Sequence, residues 1–238
     1  MIKKKLKILG IIPARGGSKE IKRKNLLKIG GKTLVELAIK SAKKSKLLTR
    51  IILSSEDKEI LKIAKKAGVE IPFIRPKKLA KDNSSTFSVL KHAVKWLEKN
   101  ENWRADIIVL LQPTTPFRKG THIDAVVKLL LKSRSDAATT IKKVSYPSHW
   151  MLKIVNKNKI KNLFKGGNRY LRRQDAPQTY QPAGLVSAMT RKLLFSLKTT
   201  LPAGDTRGYI IPSKFGINID SSHDYKLAVS LLGKKILK

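Results

Sequence analysis

The chain has 238 residues, with 52 Lys and Arg against 16 Asp and Glu, a formal net charge of +36. Apolar residues make up 41 %, enough for a packed core, so a disordered basic tail is excluded; the length suits one domain with an added arm, or two small domains. Cysteine is absent, which excludes disulfides and cysteine-based zinc or redox sites, and no apolar run approaches the roughly 18–20 residues that cross a bilayer.

Lys3, Lys4, Lys5 and the apolar stretch after them imitate a secretion signal, but Lys7 interrupts it and Arg15 stands where small uncharged residues would mark cleavage. The segment reads instead as a buried strand, Ile8–Ile12, and the protein as soluble and cytoplasmic, with no membrane partner. A Gly/Lys-rich loop leads to a helix over Thr33–Ala42, then a strand over Arg50–Leu53. Ser54 with Asp57 resembles a capping box for a helix over Glu56–Ala67, which Gly68 ends. A third strand is expected over Val69–Ile74, a helix over Ser85–Leu97 and a strand over Ile107–Leu111. A helix over Ile123–Leu131 and a strand over Ala137–Ile141 follow. From Ser145 to Asp175 the rhythm breaks into a polar segment carrying Tyr146, Trp150 and Phe164, read as an inserted arm (145–175) within a domain made of 1–144 and 176–238. Short strands at Tyr209–Ile211 and Ile217–Ile219 precede a helix over Asp224–Leu232, with Ser221 and Asp224 as its capping box. The strand–helix alternation predicts an α/β three-layer sandwich with a mostly parallel sheet.

The charge invites a nucleic-acid reading, because neutralising phosphates releases counterions. Lysine, however, supplies 40 of the 52 basic residues, whereas base-edge and phosphate-fork recognition favours arginine. The lysines are also dispersed; Lys58, Lys62, Lys65 and Lys66 fall on the solvated face of one helix. No specific nucleic-acid partner is expected, although attraction to anionic substrates remains.

The loop Pro13–Asn25 lies at the carboxyl end of the first strand, where open α/β sheets bind ligands. Gly16 and Gly17 permit close backbone approach to an anion, and Arg15 and Lys24 supply charge for phosphates. The loop fits neither a Walker pattern nor G-x-G-x-x-G, and its composition alone is equally that of an ordinary glycine turn.

The stretch Ile11-Ile12-Pro13-Ala14-Arg15-Gly16-Gly17-Ser18-Lys19 through Lys24-Asn25 closely resembles the signature of CMP-N-acylneuraminate synthetases, the cytidylyltransferases that activate sialic acid and related nonulosonates. Further blocks agree in order: Arg75-Pro76 with Leu79-Ala80-Lys81-Asp82, then Leu111-Gln112-Pro113-Thr114-Thr115-Pro116-Phe117-Arg118, then Ile219-Asp220, with Arg173-Gln174 and Pro177 between. The resemblance implies a nucleotidyltransferase-type sheet and a reaction joining the anomeric hydroxyl of a 2-keto sugar acid to the α-phosphorus of CTP, with Mg²⁺ as cofactor. It implies that Arg15 and Lys24 hold the triphosphate with Ser18 and Asn25 in support, that Arg75, Ser85 and Thr86 read cytosine, and that Gln112 touches the sugar. Arg173 would grip the acceptor carboxylate. Ser85 and Thr86 are equally suited to helix capping, and Arg118 to pairing with a surface carboxylate. Family members are commonly homodimers in which an arm crosses to the partner, the role that Ser145–Gly167 would take.

Two departures stand out. The usual Asp-x-Asp metal site of the family reads Asn218-Ile219-Asp220, so Asp220 would carry the Mg²⁺ with a neutral oxygen from Asn218. Gln181-Pro182-Ala183-Gly184 replaces the Arg-Pro-Asn-Gly common in sialic-acid enzymes, which favours a legionaminate- or pseudaminate-like acceptor in contact with Gln181. An acceptor such as 3-deoxy-octulosonate, and an inactive relative that binds polyanions through its lysines, are the other readings.

Overall fold

In the computed structural model, which describes residues 5–166, 169–197 and 200–232, the first strand is β1 (Ile8–Pro13). Ile8 and Ile12 enter one core cluster while Leu9 and Ile11 enter the other, so both faces are covered and the strand reads as an unbroken apolar run. The segment that imitates a secretion signal is thus a central strand. Lys3, Lys4 and Gly167 lie outside the described residues.

A small ribbon, β2 (Lys28–Ile29) and β3 (Lys32–Thr33), turns through Gly30 and Gly31, both at positive φ as such a tight turn requires. Thr33 caps α1 (Leu34–Lys43) in a reciprocal box with Glu36. β4 (Arg50–Ser54) leads to α2 (Lys58–Lys66), whose cap is Asp57: its carboxylate accepts the Glu59 and Ile60 amides at 3.0 Å. Ser54, expected to begin that cap, is instead the buried last residue of β4. The strand expected at Val69–Ile74 is reduced to a bridge between Ile52 and Glu70, since Pro72 offers no amide to extend a ladder.

α3 (Thr86–Glu101) buries the expected stripe of Val89, Leu90, Ala93, Val94 and Leu97. β5 (Ile107–Leu110), α4 (Gly120–Ser133) and β6 (Ala137–Lys143) continue the alternation. The segment read as an irregular arm contains a hairpin, β7 (Leu152–Asn156) and β8 (Lys159–Asn162), that is almost wholly exposed. β9 (Tyr180–Thr190) then crosses the sheet, through residues whose Pro182 and Gly184 read as strand breakers. Both have a local reason. At Pro182 the strand is paired to β6 only, because β5 reaches no further than Ser187. Gly184, at φ +71°, lies beside the register shift between Thr139 and Ile141. α5 (Arg191–Ser196), β10 (Thr206–Ile210) and α6 (Ser222–Leu232) complete the chain. Ile217–Ile219 forms no strand; Ile219 is buried and its amide donates to Thr114 O at 2.8 Å.

The six-stranded sheet has the order β10-β6-β9-β5-β1-β4, parallel except for β9, which is antiparallel to both neighbours. α1, α2 and α4 cover one face, and α3 and α5 the other, giving three layers. From β1 the chain steps outward to β4 and returns on the other side of β1 as β5. The loops after β1 and β5 therefore diverge and open a crevice at the carboxyl ends of the strands.

Candidate active site

That crevice is a cleft of about 360 Å³. The loop after β1 contributes Arg15, Gly17, Ser18, Lys24 and Asn25 to its wall, and the loop after β5 contributes Gln112, Pro113 and Thr114. Arg75, Asp82 and Thr86 close one side and Asp220 the other. Asn25 donates to Arg15 O at 2.9 Å and so fixes the curl of the loop. Arg15 meets Asp82 at 2.9 Å, with Lys19 at 3.7 Å from the same carboxylate. Lys24, its side chain 13 % exposed, places its ammonium 3.1 Å from Asp220 Oδ1 and 3.3 Å from Asp220 O.

Arg75 is buried beneath the cleft and donates to the carbonyl and hydroxyl of Ser54 at the end of β4. Burial lowers its pKa to about 10; the nearby Glu56 carboxylate works against that fall, and Arg15 adds to it. Glu56 accepts the Gly16 amide at 2.8 Å and thereby ties the loop after β1 to the segment leading into α2. That bond gives Gly16 a structural role of its own. Its amide is committed to Glu56, and a Cβ there would lie 2.5 Å from Asp57 Oδ2, so its smallness serves the α2 cap. At Gly17 an added Cβ meets nothing within 4 Å, and this is the glycine that faces the cleft.

A second cavity, about 760 Å³, shares Thr86 and Gln112 with the cleft. Ser85 and Gln181 line it, and Ser85 also caps α3 by accepting the Ser88 amide at 3.1 Å. Its wall holds two cations that sequence patterning did not single out. Lys91 donates to Leu197 O at 2.8 Å, and Arg207 pairs with Asp205 at 2.9 Å. Leu110, Ile141, Leu201 and Pro202 make much of the remaining surface apolar. Ala183 is buried in the core and does not line the cavity. Arg173 lies exposed in the turn Arg173–Asp175 and lines neither space. Arg118 is buried and bonded to neutral acceptors, not to a surface carboxylate. Of these additions only Asp82 lay inside a block recognisable in the sequence. Lys91, Arg207 and Glu56 acquire their places through tertiary packing.

No group of three or more His, Cys, Asp or Glu suited to a metal occurs among the described residues, so these residues alone do not build a cation cage. The residues ahead of α6 nevertheless fit Mg²⁺. Asn218 Oδ1 is buried without a hydrogen-bond partner, while its amide nitrogen donates to Asp220 Oδ2. One carboxylate and one unclaimed carbonyl oxygen suit an ion that takes its other ligands from phosphates and water.

A family model described as cytidylyltransferase matches residues 9–209. The chain belongs to the cytidylyltransferase family. This cytidylyltransferase is 29 % identical over 223 residues to pseudaminic acid cytidylyltransferase of Campylobacter jejuni subsp. jejuni serotype O:2, covering 94 % of this chain and 95 % of the other. It is 28 % identical over 230 residues to N-acylneuraminate cytidylyltransferase of Escherichia coli O18:K1:H7, covering 96 % of this chain and 53 % of that longer one. Its fold matches CMP:2-keto-3-deoxy-manno-octonic acid synthetase complexed with CTP at a TM-score of 0.70 and 18 % identity, over 97 % and 100 % of the two chains. The cytidylyltransferase has, among the described residues, no helix long and apolar enough to cross a membrane.

Proposed function

We propose that this cytidylyltransferase joins the cytidylyl group of CTP to the anomeric hydroxyl of a nonulosonic acid and releases pyrophosphate. The observation that carries the reading is the wall formed by Thr86 and Gln112 between the cationic cleft and the larger cavity. A triphosphate in the first and a sugar acid in the second would meet there. The acceptor oxygen gives up its proton to water and bonds to the α-phosphorus as the bond from that phosphorus to the bridging oxygen of pyrophosphate breaks. Such a transfer depends on alignment and on cations placed where phosphate charge develops. Arg15 and Lys24 exchange their carboxylate partners for phosphate oxygens, with Gly17, Ser18 and Asn25 shaping the loop around them. Arg75 and Thr86 offer donors to the cytosine edge, and Ser85 holds the end of α3 beside them. Asp220 and Asn218 hold Mg²⁺, which when bound neutralises phosphate charge.

The acceptor we favour is pseudaminate- or legionaminate-like. Gln181 stands in the acceptor cavity where sialic-acid enzymes commonly carry arginine, and the apolar surface beside it suits methyl and acyl groups better than a hydroxyl-rich tail. Lys91 and Arg207 supply cations for its carboxylate. The enzyme acts in the cytoplasm as a homodimer joined through 145–175. A lone two-stranded hairpin is marginal in water, yet this segment leaves Ile154 73 % and Leu171 90 % exposed; a second copy would cover them.

Pyrophosphate release decides the matter, measured with Mg²⁺, CTP or ATP, and pseudaminate, legionaminate, N-acetylneuraminate or 3-deoxy-octulosonate. Release with CTP and one of the first two acids is expected. Equal use of ATP, or no release with any acid, would refute the proposal.

A further inference from the structure

We propose that Arg118 is a positioning residue that sets the wall between the nucleotide cleft and the acceptor cavity, an inference that rests on the transfer reaction above. Arg118 lies between β5 and α4 and is 5 % exposed. Its Nη1 donates to Gln112 O at 2.8 Å, to Leu185 O at 3.0 Å and to Thr115 Oγ1 at 3.1 Å, and its Nε to Ser41 Oγ at 3.0 Å. Burial is the sole influence on its ionisation among the described residues; no carboxylate offsets it. An unpaired buried cation is costly, and neutral acceptors recover only part of the lost hydration. The bonds it does make go to the loop after β5, to β9 and to α1.

Gln112 belongs to both cavities, and Leu185 follows Gly184, which lines the acceptor cavity. Thr115 completes the link, because its hydroxyl accepts from Arg118 at 3.1 Å and donates to Gln112 O at 3.1 Å. One planar guanidinium therefore ties the loop after β5 to the irregular half of β9 and, through Ser41, to α1. Lysine could keep the charge but could not reproduce this fork. The clamp fixes where the sugar hydroxyl faces the α-phosphorus, a separation whose error is costly: a displacement of about 1 Å can lower the rate by about 100-fold.

The test is Arg118→Lys, assayed by pyrophosphate release and by calorimetric CTP binding. We expect kcat to fall by about 30- to 100-fold while the Kd for CTP changes by less than about threefold. In a Gln112→Ala background the same substitution should add less than about threefold, since both act on one wall. Thr115→Val, which removes the hydroxyl that accepts from Arg118 and donates to Gln112 O but keeps the shape, should lower kcat by about three- to tenfold while Tm falls by only about 2–6 °C, and Thr115→Ser should restore kcat. This pair decides the question if Arg118→Lys fails to fold. A kcat within threefold of the parent, loss of CTP affinity in step with rate, or full additivity with Gln112→Ala would overturn the proposal. Crystal structures read the wall directly: Gln112 should move by about 1 Å in whichever of Arg118→Lys and Thr115→Val folds, and an unmoved Gln112 sinks the idea whatever the acceptor. Failure of the reaction assignment would show instead in the parent enzyme, as no release with any acid.

Discussion

Replacing Lys24 with Ala removes an ammonium whose side chain is 13 % exposed and which sits 3.1 Å from Asp220. In the free protein the loss is small. The Asp220 side chain is 65 % exposed, and a pair of this kind contributes at most about 1 kcal/mol, or roughly 2–4 °C of Tm for a chain of this size. In the proposed reaction the same ammonium would face phosphate charge inside the cleft, where loss of one preorganised donor costs about 2.7–4 kcal/mol, or 100- to 1000-fold in kcat. The prediction is therefore a split: Lys24→Ala melts within about 4 °C of the parent yet turns over at least about 100-fold more slowly, measured as pyrophosphate release at saturating CTP. Were Lys24 only a ground-state contact, the KM for CTP would rise and kcat would hold. Turnover within about threefold of the parent would show that the triphosphate does not lie against Lys24.

Gly16→Ala should destabilise by about 1–3 kcal/mol, because its Cβ would lie 2.5 Å from Asp57 Oδ2 and 2.9 Å from Asp57 Cβ at the cap of α2; Gly17→Ala should leave Tm unchanged and weaken CTP binding by about tenfold, since its methyl enters only the cleft. Asn218→Asp should lower the Mg²⁺ needed for half-maximal binding by about three- to tenfold, read with Mn²⁺ by electron paramagnetic resonance, as a second carboxylate joins Asp220. Acid should destabilise the fold in two stages. Burial, foremost, lowers the pKa values of His92 and His122, so their neutral forms support the fold above the unfolded value of 6.5 and that support is lost as pH falls below it. Glu36, lowered chiefly by the Thr33 amide, and Asp224, lowered chiefly by the Ser221 amide, lose theirs only below their unfolded values of 4.5 and 3.8. Urea midpoints against pH should show both stages, and His92→Gln with His122→Gln should flatten the first.

What the sequence revealed of this fold is what local physics determines. β1 declares itself because burial on both faces demands an unbroken apolar run, α1 because Leu34, Leu37, Ala38 and Ile39 recur at helical spacing, and α6 because Ser221–Asp224 closes its box within one turn. β9 stayed hidden because Pro182 and Gly184 are tolerated only through features of its neighbours: the early end of β5 and the register shift in β6. The site divides the same way. Arg15, Lys24 and Asn25 lie on one contiguous loop and could be read as a motif. Glu56, Lys91 and Arg207 reach the site from separate elements, so no spacing along the chain points to them. Gly16 shows the limit from the other direction, since a glycine in a phosphate loop can owe its identity to the helix behind it.

The distribution of acids bears on the meaning of the charge. Only 16 carboxylates accompany 52 basic residues, yet Glu56, Asp57, Glu59, Asp82 and Asp220 all gather around the loop Arg15–Asn25. Asp82 holds Arg15 and Lys19, Asp220 holds Lys24, and Asp57 and Glu59 hold Arg23. Cations crowded together without partners would repel one another and splay the loop; paired, they are held in the cleft that the proposed reaction assigns to the triphosphate. The ion pairs thus offset part of the charge of a cleft whose lining carries Arg15, Lys24, Arg75 and Lys81 against Asp82 and Asp220, while many other lysines lie on solvated faces such as that of α2. A polyanion surface needs the opposite arrangement, with its cations uncompensated and its acids remote. Scarce acids gathered around the loop after β1 fit the proposed exchange of carboxylate partners for phosphate oxygens.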